Sequence, residues 1–140
     1  MEFITVEQFK EQSIEVQKVF LDWWKPSKYD LYTNDGFHTY LVGIEEKGLI
    51  CPNVNSMVWH EKEKCIPLFT EGQLRKFIED KTGCKNIELT SNMEGCQYGM
   101  ECYKNISCLM YDRKYEKLGT DVFQAYWKVA CIVAKEELNG

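Results

Sequence analysis

The chain reads as α+β, a single domain over residues 1–140 with an N-terminal helix, a small bent antiparallel sheet, then α-β-β-α ending in a packing helix. Three observations predict this. Apolar residues recur at helical spacing near both ends and once in the middle. Short runs of strand formers, broken by turn signals, fill the intervals. No Gly/Ser/Pro-rich linker, repeat or low-complexity tract divides the 140 residues, a length close to the commonest domain size.

The first helix is predicted from Thr5 and Gln8, which have the form of a capping box, and from Val6, Phe9, Ser13, Val16, Phe20 and Trp23, which fall on one helical face. That spacing predicts one helix of about five turns, ended by Pro26. From Tyr29 to Glu61, the runs Tyr29–Tyr32, Tyr40–Ile44, Leu49–Cys51 and Met57–His60 are strand formers. Asn34-Asp35-Gly36 marks a hairpin turn between the first two runs, and a second break is expected at Glu45–Gly48. An SH3-like half-barrel is one form such a sheet takes. Thr70 and Gln73 repeat the capping-box form and open a second helix with Leu74, Phe77 and Ile78 inward and Gly83 as its stop.

Residues 86–90 read as a strand and Asn92–Gly99 as a loop. From Met100 to Tyr111, Met100, Cys102, Ile106, Cys108 and Met110 share one parity, which predicts a half-buried strand or a tight pair turning near Lys104-Asn105. The last helix starts at Thr120-Asp121 and carries Phe123, Tyr126, Trp127, Ala130, Val133 and Ala134 in a stripe broad enough to pack centrally on a sheet.

Composition excludes several classes of function. The formal charge of −5, with two arginines and scattered lysines, argues against direct DNA binding. No apolar run approaches the ~20 residues that cross a bilayer, and MEFITVEQFKEQ has neither the basic start nor the apolar stretch of a signal peptide, so no membrane partner is expected. Seven cysteines, an odd count without a secretory signal, predict reduced thiols.

No metal or cofactor is expected. Cys96, Cys102 and Cys108 are each separated by five residues, whereas structural zinc pairs its ligands across tight turns of two to four. His60-Glu61-x-x-Lys64 carries lysine where the metalloprotease helix has its second histidine. A Cys–His nucleophile pair would need Cys65 or another thiol beside His38 or His60. The glycines lack both phosphate-loop spacings, and Glu45-Glu46 and Glu136-Glu137 read as solvated ends of elements. The chain is therefore read as a binding protein and not an enzyme.

The aromatic content, 14% with four tryptophans and eight tyrosines, exceeds what core packing requires. Trp23 and Trp24 are adjacent and cannot both lie centrally on one helical face, so Trp23 is assigned to the core and Trp24 outward. The expected partner-binding residues are Trp24, Tyr29, Tyr32, Trp59, His60, Tyr98 and Tyr103, with Arg75 and Arg113 as the cations that would meet phosphates.

Three blocks, ITVEQFKEQSIEVQKVFLDWWKP, CIPLFTEGQLRKFIEDKTG and VFQAYWKVACIVAKEEL, resemble small proteins encoded by phages and prophages of Gram-positive anaerobes. The resemblance implies an accessory phage protein acting in the cytoplasm of the bacterial host, where such proteins blunt immunity. Two mechanisms follow. One is stoichiometric inhibition of a bacterial defence protein, as by an anti-CRISPR, with aromatics as anchors and acidic groups facing a basic channel. The other is a homo-oligomeric sponge that sequesters a nucleotide second messenger. A small nucleotide hydrolase using His60 and nearby carboxylates is the enzymatic alternative, and a structural module of the virion is a third class.

Overall fold

Thr5 opens the first helix as expected: its Oγ1 accepts the Gln8 N–H at 3.1 Å, while Gln8 Oε1 accepts the Thr5 N–H at 3.0 Å. In the computed structural model, which describes residues 2–52, 58–91, 97–105 and 110–140, that helix is short. It ends as α1 (Val6–Lys10), and the chain starts again at Ser13, whose Oγ accepts the Val16 N–H at 3.2 Å to begin α2 (Ile14–Trp23). The single long helix expected from periodicity is thus two. Ser13 sits in extended backbone as a cap, the role its short hydroxyl favours over a helix interior. Phe9 and Phe20 still meet, with ring centroids 6.4 Å apart, so the apolar spacing reported a shared core across the break.

The chain is α+β, and its contacts fall into two compact units, residues 3–70 and 71–140. In the first, α1 and α2 accompany two three-stranded antiparallel sheets. One has the order β2–β1–β6, from β1 (Leu31–Thr33), β2 (Thr39–Leu41) and β6 (Ile66–Pro67). The other has the order β3–β4–β5, from β3 (Ile44–Glu46), β4 (Leu49–Cys51) and β5 (His60–Glu61). A 3-10 turn, Lys62–Lys64, follows β5, so the His60-Glu61-x-x-Lys64 run lies on no α-helix.

Turn chemistry sets both hairpins. Asp35 Oδ1 accepts the Phe37 and His38 N–H groups at 2.8 Å each, and Gly36 takes φ +83, which closes the β1–β2 connection. Between β3 and β4 the turn is Lys47-Gly48, with φ +51 and +82, the two-residue geometry that matches strand twist. Glu45 and Glu46 are therefore strand residues and not part of the break. The core of this unit holds Ile4, Phe9, Phe20, Trp24, Tyr32, Ile50 and Phe69.

In the second unit, α3 (Glu71–Thr82) begins directly after Thr70 and stops at Gly83, φ +75, whose N–H bonds the Glu79 carbonyl at 2.9 Å. The sheet is β7 (Asn86–Ser91), β8 (Tyr98–Tyr103) and β9 (Arg113–Tyr115), antiparallel in that order. The expected α-β-β-α tail thus has three strands, and Tyr98 and Gly99 belong to β8 and not to a loop. Met100 and Cys102 are buried, in line with the predicted parity, but β8 ends at Tyr103 and Met110, expected on the same inward face, is 73% exposed; Ile106 and Cys108 lie outside the described residues. Asp121 Oδ1 caps α4 (Val122–Asn139) by accepting the Gln124 N–H at 2.8 Å, and α4 packs on α3 and β8.

Candidate partner-binding surface

Tyr32 and Tyr40 are cross-strand partners in β1 and β2, and Ile50 and His60 are partners in β4 and β5. The two pairs converge. Tyr32 Oη lies 2.9 Å from His60 Nδ1, and the Tyr40 ring stands 5.1 Å from the His60 ring and 5.6 Å from that of Tyr32. Burial raises the Tyr32 phenol far above the usual tyrosine range, and Cys65, Cys51 and Tyr40 push the same way. Burial likewise pushes the Cys65 thiol up to about 11, and its Sγ–H donates to the Glu61 carbonyl at 3.2 Å. A neutral thiol aimed at a carbonyl is the reverse of an activated nucleophile. Among the described residues the hydrogen-bond partner of the His60 ring is a phenol and not a carboxylate. This cluster is built as polar core.

That geometry corrects two expected partner residues. Tyr32 is fully buried and Trp24 is 1% exposed, so neither ring reaches a partner. Trp24 is inward, where its Nε1–H donates to Asp30 at 3.1 Å and its ring meets Tyr32, whereas Trp23 is half-buried in a T-shaped contact with Phe69. The order assigned from sequence is therefore reversed: Trp24 continues the four-residue spacing of buried Val16 and Phe20 and is held by Asp30 and Tyr32.

Both arginines are held by their own unit. Arg75 Nε lies 3.4 Å from Glu79, and its Nη2 reaches the Ile87 carbonyl at 3.4 Å. Arg113 hydrogen-bonds Tyr115 Oη at 3.2 Å and pairs with Glu136, while Lys81 pairs with Glu137 at 3.2 Å. Glu136 and Glu137, read as solvated ends, instead tie α4 to β9 and α3. Tyr98 and Tyr103 are half-buried on β8, and Tyr103 Oη donates to Glu101 at 2.7 Å, which pushes its pKa up to about 12.

The two larger of the clefts described each lie within one unit. One, of about 470 Å³, runs past Leu21, Asp22, Lys47, Leu49, Glu61 and Lys62. The other, of about 310 Å³, has Tyr98, Gly99, Glu101, Lys114 and Lys117 on its walls. Lys114 there pairs with Glu116 at 3.3 Å. Among the described residues no group of three or more His, Cys, Asp or Glu side chains could hold a metal ion, and no helix is long and apolar enough to cross a membrane.

The exposed apolar surface is uneven. Of thirteen large hydrophobic residues exposed among those described, nine precede Thr70, including Tyr29, Phe37, Leu41, Ile44 and Trp59. Tyr29 is 67% exposed, Phe37 91% and Trp59 40%, so two of the expected aromatics are available and Phe37 joins them. Phe37, Leu41 and Ile44 were missed because strand formers are assumed inward; the Asn-Asp-Gly turn was the signal that Phe37 sits at a tip. Acidic side chains are equal in number in the two halves, but the first half has fewer basic ones. Residues 1–70 carry seven basic and eleven acidic side chains, net −4, while residues 71–140 carry ten and eleven, net −1. Fold and surface together define a small α+β protein with an acidic, apolar-studded N-terminal unit. No family model, curated protein or solved structure matches the chain.

Proposed function

We propose that this is a non-enzymatic phage accessory protein that binds and neutralises a component of bacterial immunity, as a stoichiometric inhibitor of a defence protein in the host cytoplasm, in the manner of an anti-CRISPR. The observation that carries this reading is the coincidence, in residues 3–70, of nine of the thirteen exposed large apolar side chains with seven basic and ten acidic residues, a net charge of −3. Apolar anchors supply contact energy, and an acidic surround favours a basic, nucleic-acid-handling partner through faster encounter and rejection of acidic competitors. The phage-like sequence blocks supply the biological setting.

A nucleotide-sequestering homo-oligomer is the second reading, favoured by the cleft where Tyr98 stands with Lys114 and Lys117. The carboxylates of Glu101 and Glu116 in that cleft, and the engagement of both arginines elsewhere, count against it. The test is expression in bacteria that carry defined defence systems, followed by phage challenge. Restored plaque formation in a host defended by a nucleic-acid-binding effector, with one copy of this chain bound per purified effector, is the expected outcome. Calorimetric binding of cyclic nucleotides by the protein alone, with no effector complex, would transfer the reading to sequestration.

A further inference from the structure

Tyr29 is an aromatic residue with φ +76, in the left-handed region that L side chains with a large Cβ substituent avoid. Its surroundings hold it there. Asp30 accepts the Ser27 N–H at 2.9 Å and the Trp24 Nε1–H at 3.1 Å, and the Asp30 N–H returns to the Ser27 carbonyl at 2.9 Å. The Tyr29 N–H donates to the Val42 carbonyl at 2.9 Å, and the Val42 N–H donates to the Asp30 carbonyl at 2.8 Å. All but the Trp24–Asp30 bond engage backbone, yet the Tyr29 ring itself lies 67% exposed. Strain retained at a position whose side chain packs so little in the core is a mark of function, because core packing does not compensate it.

Val42 is buried and is the pivot where β2 passes into β3. Leu41 and Ile44, both exposed, flank it along the chain, and Tyr29 is hydrogen-bonded to it. Leu41 and Ile44 therefore lie within two residues of the position to which Tyr29 is hydrogen-bonded. Exposed Glu45 and Glu46 follow directly on β3. One cation already sits at the tyrosine: Lys28 Nζ lies 5.2 Å from the ring centroid. A partner's arginine or lysine would take this ring by replacing Lys28.

We infer that Tyr29, Leu41 and Ile44 form a pre-set docking corner for a basic protein surface, with Tyr29 held in its strained backbone as the anchor ring. This rests on the functional reading above and specifies its contact. A backbone already held in place loses little conformational freedom on binding, so the fold and not the complex carries the cost of its strain. The corner is distinct from both clefts, whose walls include none of the three residues.

The test compares Tyr29→Asn, Tyr29→Phe and Ile44→Lys with the wild type in the defended-host plaque assay, with thermal unfolding of each purified protein. Asparagine tolerates the left-handed backbone, so Tyr29→Asn is expected to keep the Tm at or above wild type while plaque restoration falls at least about tenfold. Tyr29→Phe keeps the ring and should keep activity; Ile44→Lys places a cation against a basic partner and should lose it. Full activity of Tyr29→Asn overturns the docking corner and leaves the inhibitor reading intact. A Tm lowered by several degrees in Tyr29→Asn also overturns it, since the ring would then be holding the fold. A wild-type dimer in mass photometry that Ile44→Lys dissociates would mean a second copy covers the corner. Failure of the wild type to restore plaques in any host sinks both ideas.

Discussion

Tyr32 and His60, 28 residues apart in sequence, share one hydrogen bond in which the phenol is fully buried. The consequences of removing either partner differ. Tyr32→Phe removes the hydroxyl from the pair and should cost about 1 kcal/mol, while His60→Ala strands a buried hydroxyl and opens space, costing about 1–3 kcal/mol. Urea unfolding of the two variants checks the order, and a larger loss for Tyr32→Phe would refute it. The buried thiols make a second case. Burial raises Cys65 to about 11 and Cys102 and Cys131 to about 12. A raised folded value means that their contribution to stability is complete below the unfolded thiol value of about 8.5 and is lost as pH climbs toward the folded values. The urea midpoint should therefore fall steadily between about pH 8.5 and 12, and iodoacetamide at pH 7.5 should leave the peptides of Cys51, Cys65, Cys84, Cys102 and Cys131 unmodified until denaturant is added. Early native labelling of Cys65 would revive a thiol-based chemistry.

At the scale of elements, Ser13 separates two models of the N-terminus by sign. In one continuous helix, Ser13→Ala would stabilise, since alanine is the better helix former. As the cap of α2, Ser13→Ala should destabilise by about 1 kcal/mol, read from the urea midpoint. Gly99 on β8 offers a different measure of fit. A Cβ there would stand 2.7 Å from Thr90 Oγ1 and 3.1 Å from the Tyr115 carbonyl, so the Thr90 hydroxyl would have to turn away and the β9 carbonyl to give by a few tenths of an ångström. Gly99→Ala is expected to cost roughly 1–3 kcal/mol, with the β7–β9 amides losing protection in hydrogen exchange before those of the N-terminal unit. The β1–β2 turn responds to acid. Its Asp35 is held below the usual carboxylate range, first by the His38 side chain at 2.6 Å and then by two backbone N–H groups. That contribution is present above the unfolded value of about 3.9 and disappears only in stronger acid.

For the whole molecule, charge is distributed by half: −4 in residues 1–70 against −1 in residues 71–140. Encounter with a basic partner should therefore slow by about tenfold or more between low and high salt, with the dissociation rate much less affected, in stopped-flow or surface-binding kinetics. Salt-independent association would argue that apolar contact alone selects the partner.

Local signals settled the α+β class, the capping box at Thr5, the turn at Asn34-Asp35-Gly36, the stop at Gly83, the cap at Asp121 and the inward parity of Met100 and Cys102. Each depends on residues within a few positions of one another, so the chain states it directly. Long-range pairing decided the rest. Which of Trp23 and Trp24 is inward depends on Asp30 and Tyr32; the fate of Arg113 depends on Glu136, 23 residues away; and the sorting of six short strands into two sheets depends on partners no local pattern names. A partner surface is what remains uncovered after all such pairings are made, so the exposure of Tyr29 and the burial of Tyr32, three residues apart, only the tertiary structure could decide.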